Sequence, residues 1–183
     1  MRSRLVATAT LMMLTSVAAV SWWGDLTVAQ TQPAHDIPQS FKVAHQETLA
    51  ELTAIGKRRT HTGQIARQAI AAVKEHFRRE EEYILPPLTL APAIALGHVT
   101  PDMKWAIAMA DRIKADRETI FVEHTVITQW MNELAAAAER AHEADVIAFA
   151  RGAVADSLSD TEVNEPMAIV IGDYVRAKLP AGP

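Results

Sequence analysis

Apolar residues in this chain return every three or four positions, and no segment alternates apolar and polar residues with period two. That rhythm is the 3.6-residue repeat of a helix, and it excludes a sheet with one face buried. Phe41, His45, Leu49 and Leu52 share one helical stripe. Ala69, Val73, His76, Glu80 and Ile84 share a second, and Ile113, Ile120, His124, Ile127, Met131 and Leu134 a third. Alanine is abundant, which adds intrinsic helix propensity to the pattern. At 183 residues the chain is long enough for one domain with a core of ordinary size.

Punctuation divides the periodic stretches. Asp36 is the expected N-cap of a first helix, with Gln39 as its capping-box partner, running from about Pro38 to Ile55 and closing at Gly56. A second helix is expected from near Thr62 to Leu85, where Pro86 and Pro87 forbid extension. Leu88 to Gly97 reads as a short apolar turn of helix across the end of the bundle. Thr100-Pro101 opens a third long helix reaching about Arg140, long enough to admit a bend between Asp111 and Asp116. A fourth spans about Glu143 to Asn164, and Pro166 begins a last segment ending near Lys178. The expected fold is all-α: an up-down four-helix bundle with short additional end helices.

Charge and cysteine content narrow the chemistry. The net charge is −4, from 18 basic and 22 acidic residues with no long basic stripe, which argues against nucleic acid as a partner. The chain has no cysteine, so disulfides, thiolate metal sites and thiol nucleophiles are excluded. Any metal must be held by His, Asp and Glu. At the N-terminus Arg2 and Arg4 precede an apolar run from Leu5 to Val20, and Thr27-Val28-Ala29 offers small residues for cleavage. Residues 1–29 are therefore expected to be a signal peptide, residues 30–36 a linker and residues 37–179 the helical domain. Export to a periplasm or the medium would follow. The alternative is an uncleaved anchor with Trp22 and Trp23 at the interface, but the run falls short of the ~20 apolar residues of a span.

Three inward histidines on three helices form the constellation that carries chemistry. His76 and Glu80, four apart, project the same way and offer an imidazole nitrogen and a carboxylate oxygen to one place. A buried carboxylate needs a compensating charge, and a bound cation supplies one. Oxygen and nitrogen ligands without thiolate suit iron, manganese or zinc. The spacing also repeats: His45 lies thirty-one residues before His76 and His124 thirty-two before Asp156, while Pro86 and Pro166 follow His76 and Asp156 by ten each. One helical hairpin is used twice, with Asp156 and Asp160 standing in the second copy where His76 and Glu80 stand in the first. Glu81 and Glu82 are expected on the solvent side. Glu123 points about 100° away from its neighbour His124, and His35, His61, His98 and His142 fall at linkers or helix ends.

His45, "HFRREEEYILPP", "EHTVI" around His124 and "EPMAIVIGDYV" together resemble the hemerythrin-like family, also called HHE cation-binding domains. The resemblance covers about Ile37 to Leu179. It implies a four-helix bundle holding a non-haem iron centre, usually di-iron, through a histidine on one helix and H-x-x-x-E on the next, twice over. His45, His76, Glu80 and His124 match that pattern. Asp156 stands where the family has histidine and Asp160 where it has glutamate. The resemblance implies Glu80 and Asp160 as bridging carboxylates, His45 and His76 on one ion, and His124 with Asp156 on the other. The implied role is binding or sensing a diatomic ligand such as oxygen or nitric oxide, or handling iron, by a metal-binding protein rather than an enzyme. The alternative is a degenerate bundle with one metal or none, acting as a structural or interaction module.

Overall fold

The computed structural model describes residues 35–180. The expected leader and all but the end of the linker lie outside the described residues. Within them the chain is helical and contains no strand, as the periodicity requires. Helix α1 spans Gln39–Gly56 and α2 His61–Arg79. A 3-10 turn over Pro86–Leu90 leads into a short α3, Ala91–Ala95. After a second 3-10 turn, α4 spans Trp105–Ala141, followed by α5, Ala144–Ser159, and α6, Glu165–Lys178.

The side-chain caps differ from those expected, and Thr100, which precedes Pro101, makes no capping bond. Thr60 accepts a hydrogen bond from the Gly63 amide and caps α2. Asp36 does not cap α1, because Pro38 occupies the capping position; its carboxylate instead accepts from the Ile37 amide and pairs with Lys42. Helix α4 runs unbroken for 37 residues, including Asp111 to Asp116 where its length would admit a bend, and at 1.5 Å per residue is about 55 Å long. It ends at His142, which takes a left-handed conformation with φ 58°.

Two wide turns break the helical register. Glu80–Ile84 and Asp160–Asn164 are both π-helical, closed by bonds from the Leu85 amide to the Glu80 carbonyl and from the Glu165 amide to the Asp160 carbonyl. Pro86 and Pro166 explain both. A proline ring clashes with the carbonyl four residues back, here Glu82 and Glu162, and widening that turn relieves the clash while keeping the chain helical. Each wide turn directly follows an α-helix on which a sequence-expected ligand lies.

Helix α4 is the central element, packing on α2, α5 and α6, while α1 packs on α2 and barely touches α5. One apolar cluster joins Leu52, Ile55, Val73, Ile127, Met131, Leu134 and Val146. A second joins Tyr83, Ile84, Ile113, Ile120 and Ala168. Along α4, and along α2 with the π turn that continues it, the histidines fall between residues of one cluster and residues of the other. The site is therefore walled by apolar side chains at both ends.

Two glycines on these helices should respond oppositely to alanine. A Cβ at Gly172 would lie 2.6 Å from the Ala106 carbonyl oxygen and against Ala110, so α6 approaches α4 too closely for any side chain. Gly172→Ala is expected to lower unfolding free energy by about 1–3 kcal/mol. A Cβ at Gly152 would meet nothing within 4 Å, so the close approach that would justify a mid-helix glycine is missing there. Gly152→Ala is expected to add about 0.5–1 kcal/mol. Urea denaturation of the two variants checks both signs.

Candidate metal centre

Four of the six residues expected from the sequence are brought together in the interior. His45, His76, Glu80 and His124 are all buried, Glu80 at 1% exposure. His76, Glu80 and His124 each offer a ligand atom, and those atoms lie within 4.8 Å of one another. The His76 and His124 rings meet edge to face at 4.4 Å. His45 reaches the group from α1 and stacks flat on Phe77, with centroids 3.8 Å apart.

The three imidazoles share one orientation. Each Nδ1 faces an outer partner: Glu81 Oε1 at 2.9 Å for His45, Glu123 Oε2 at 3.4 Å for His76 and Ser157 Oγ at 2.8 Å for His124. Each Nε2 faces an inner carboxylate oxygen: Glu80 Oε2 at 3.2 Å from His45, Glu80 Oε1 at 3.3 Å from His76 and Glu165 Oε1 at 2.6 Å from His124. Metal-ligating histidines are commonly held in this way, one nitrogen fixed by an outer acceptor and the other turned inward. Arg79 Nε lies 3.0 Å from Glu123 and steadies that outer acceptor in turn.

Glu80 provides the test of whether these residues suit a cation. Its two oxygens are buried and neither has a hydrogen-bond partner. The approaches of the two Nε2 atoms fall outside hydrogen-bond directions, yet 3.2 and 3.3 Å are the separations of neighbouring ligands on one ion, where bonds of roughly 2.1 Å at right angles put donor atoms about 3 Å apart. An uncompensated buried carboxylate costs several kcal/mol or more. A divalent cation beside Glu80 removes that cost, so the donor set and its spacing fit a metal ion.

In the metal-free protein His45 and His76 themselves offset the Glu80 charge. Burial alone would raise the Glu80 pKa, but His45 and His76 outweigh it and hold the carboxyl down at about 2. Burial would lower both histidines, and it is outweighed by Glu80 together with Glu81 for His45 and Glu123 for His76, so both are raised. Asp160 is pushed up to about 6, first by burial and then by the Glu80 charge.

The second half of the site departs from the pattern of the first. Asp156 is exposed. Asp160 is half-buried and accepts a hydrogen bond from Asn164 at 2.7 Å. Both aspartates line a cavity of about 170 Å³ that also reaches Phe41, His45, His76 and Ser157. The interior partners of His124 are instead Ser157 and Glu165, both buried. Neither stands out in the sequence: Ser157 is one residue past Asp156, and Glu165 belongs to the face only because the wide turn brings it there. Glu81, expected in solvent, is half-exposed while holding His45, and Glu123 serves His76 rather than its neighbour His124.

This is therefore an all-α chain with a buried histidine–glutamate group able to hold a metal ion. Comparison with protein-family models, curated proteins and solved structures finds no match. Among the described residues no helix is long and apolar enough to cross a membrane.

Proposed function

We propose that this chain is a hemerythrin-like up-down four-helix bundle, built from α1, α2, α4 and α5, that binds non-haem iron and presents it to a small ligand. The observation that carries the reading is the buried Glu80 carboxylate, unpartnered at both oxygens and faced by the Nε2 atoms of two histidines. His45, His76, Glu80 and His124 would hold the metal. That the two Glu80 oxygens turn to different histidines supports a reading in which this carboxylate would serve two ions. Ferrous iron with fewer than six protein ligands would supply an open coordination position for a diatomic molecule.

The protein's own contribution is orientation and access. Glu81, Glu123 and Ser157 lie against the three Nδ1 atoms and turn each Nε2 inward, where its lone pair would be offered to a bound ion. Phe77 locks the His45 ring, and the two apolar clusters keep bulk water from the ends of the site. The cavity along the α1–α5 seam gives a small ligand a path to His45 and His76. An exported location remains part of the proposal, resting on the Arg2, Arg4 and Leu5–Val20 pattern.

Elemental analysis after anaerobic reconstitution with ferrous iron tests the reading. About two irons per chain is the result expected of a Glu80-bridged pair, and about one of a mononuclear centre in the same residues. No bound iron, manganese or zinc would leave the bundle as a metal-free interaction module and end the proposal.

A further inference from the structure

Glu165 is not part of any H-x-x-x-E pair, yet it occupies toward His124 the place that Glu80 occupies toward His45 and His76. All three histidines obey one rule, with Nδ1 to an outer partner and Nε2 to an inner carboxylate, and for His124 that inner carboxylate is Glu165 at 2.6 Å. We propose that Glu165 is a metal ligand that joins the centre through its neighbour His124, lying just outside the tighter His76–Glu80–His124 group, and that Ser157 is the positioning residue for His124. The inference rests on the metal-binding reading above.

The backbone explains how a residue so far along the chain arrives there. In an uninterrupted α-helix the fifth residue after Asp160 would point well away from it. The π turn over Asp160–Asn164 closes with a bond five residues long, which widens the turn and brings Glu165 back over the site. Burial agrees: Glu165 is buried at 9% exposure, whereas Asp156 is exposed and Asp160 already accepts from Asn164. The 2.6 Å between Nε2 and Oε1 is a hydrogen-bond length, with one proton between the two atoms whichever of them donates it. An ion entering between them takes the place of that proton, which leaves to solvent, and the two atoms separate by a few tenths of an ångström to reach bonds of roughly 2.0–2.2 Å each.

A ligand and a hydrogen-bond acceptor respond differently to substitution. The amide oxygen of glutamine still accepts from His124 but is a weak ligand, whereas an imidazole at 165 replaces the carboxylate by a different good ligand. Cobalt(II) alone is the probe, its affinity read by chelator competition and its geometry by visible absorption, with far-UV circular dichroism to verify the fold. Glu165→Gln is expected to lower cobalt affinity by more than about 100-fold, beyond the 10–100-fold typical of losing an outer partner. Glu165→His is expected to recover binding with a shifted spectrum. Asp160→Asn is expected to change affinity less than Glu165→Gln does.

Several results would overturn the assignment. Glu165→Gln binding cobalt within a few-fold of the parent would do so, as would recovery failing in a folded Glu165→His protein or Asp160→Asn proving the more damaging change. If Glu165→Gln does not fold, Glu165→His decides alone by whether its cobalt spectrum shifts. A parent protein that binds no cobalt, iron, manganese or zinc removes the metal reading itself, an outcome distinct from a parent that binds while Glu165→Gln binds equally.

Discussion

Glu80→Ala protein is expected to lose ferrous iron binding by more than about 100-fold while keeping its helical content. Glu80 is the group on which the inward nitrogens of both His45 and His76 converge, so its loss removes a ligand from each side at once. Loss of an outer partner such as Glu123 or Ser157 instead costs roughly 10–100-fold. The alanine variant also frees His45 and His76 from the carboxylate that raises them, and their charged forms become unfavourable in the interior. The check is iron content per chain after reconstitution, with circular dichroism on the same sample. A variant that retains iron at the parental level would show that the carboxylate is a structural ion-pair partner only.

The second large effect is a divergence between metal-free and metal-bound stability as pH rises. In the metal-free protein His45 and His76 have raised pKa values, so their contribution is fully present below the unfolded value of 6.5 and is lost as pH rises through the folded values. Asp160 adds to the loss, because a carboxyl raised to about 6 disfavours the folded state as pH climbs from 3.8. Glu80 runs oppositely: its contribution is present above 4.5 and fades as pH falls toward about 2. Metal binding requires neutral imidazoles, so affinity strengthens over the range in which the metal-free protein weakens. At a free ion concentration 100 times Kd the ion adds about 2.7 kcal/mol. For a domain of this size that raises Tm by roughly 5–10 °C. The Tm difference between the two forms is expected to be wider at about pH 8 than at about pH 6. An equal or narrower gap at the higher pH would sink the idea that these histidines ligate.

How much of this could be read beforehand depends on which physical rule each residue obeys. His45, His76, Glu80 and His124 lie on uninterrupted α-helical stripes, and simple periodicity places all four inside. Asp156 and Asp160 were aligned by the hairpin repeat, and both line the cavity beside His45 and His76, with Asp160 near enough to feel the Glu80 charge. Asp156 is exposed at the edge of that cavity, and the next residue, Ser157, is the one against His124. Glu165 lies past a turn in which the helical period changes, so an extrapolation at 3.6 residues per turn points it the wrong way. The prolines were legible as helix breakers. Their actual effect is subtler, widening the last turn of each hairpin while the chain continues helical into Pro86–Leu90 and α6. The Asp36 cap failed for a local reason, since Pro38 sets the entry to α1 and leaves the aspartate to Ile37 and Lys42.

Helix α1 contributes only His45 to the interior group, rests mainly on α2 and is almost free of α5. With Leu52 and Ile55 anchoring its C-terminal end in the core, its N-terminal part around His45 is the part free to act as a hinged door. Swinging outward, it would bare the centre without disturbing the spine formed by α4, so loading and release of an ion should follow the local breathing rate of this part of α1 rather than that of global unfolding. Amide hydrogen exchange along α1 would then slow when the ion is seated, because the ion acts as the latch.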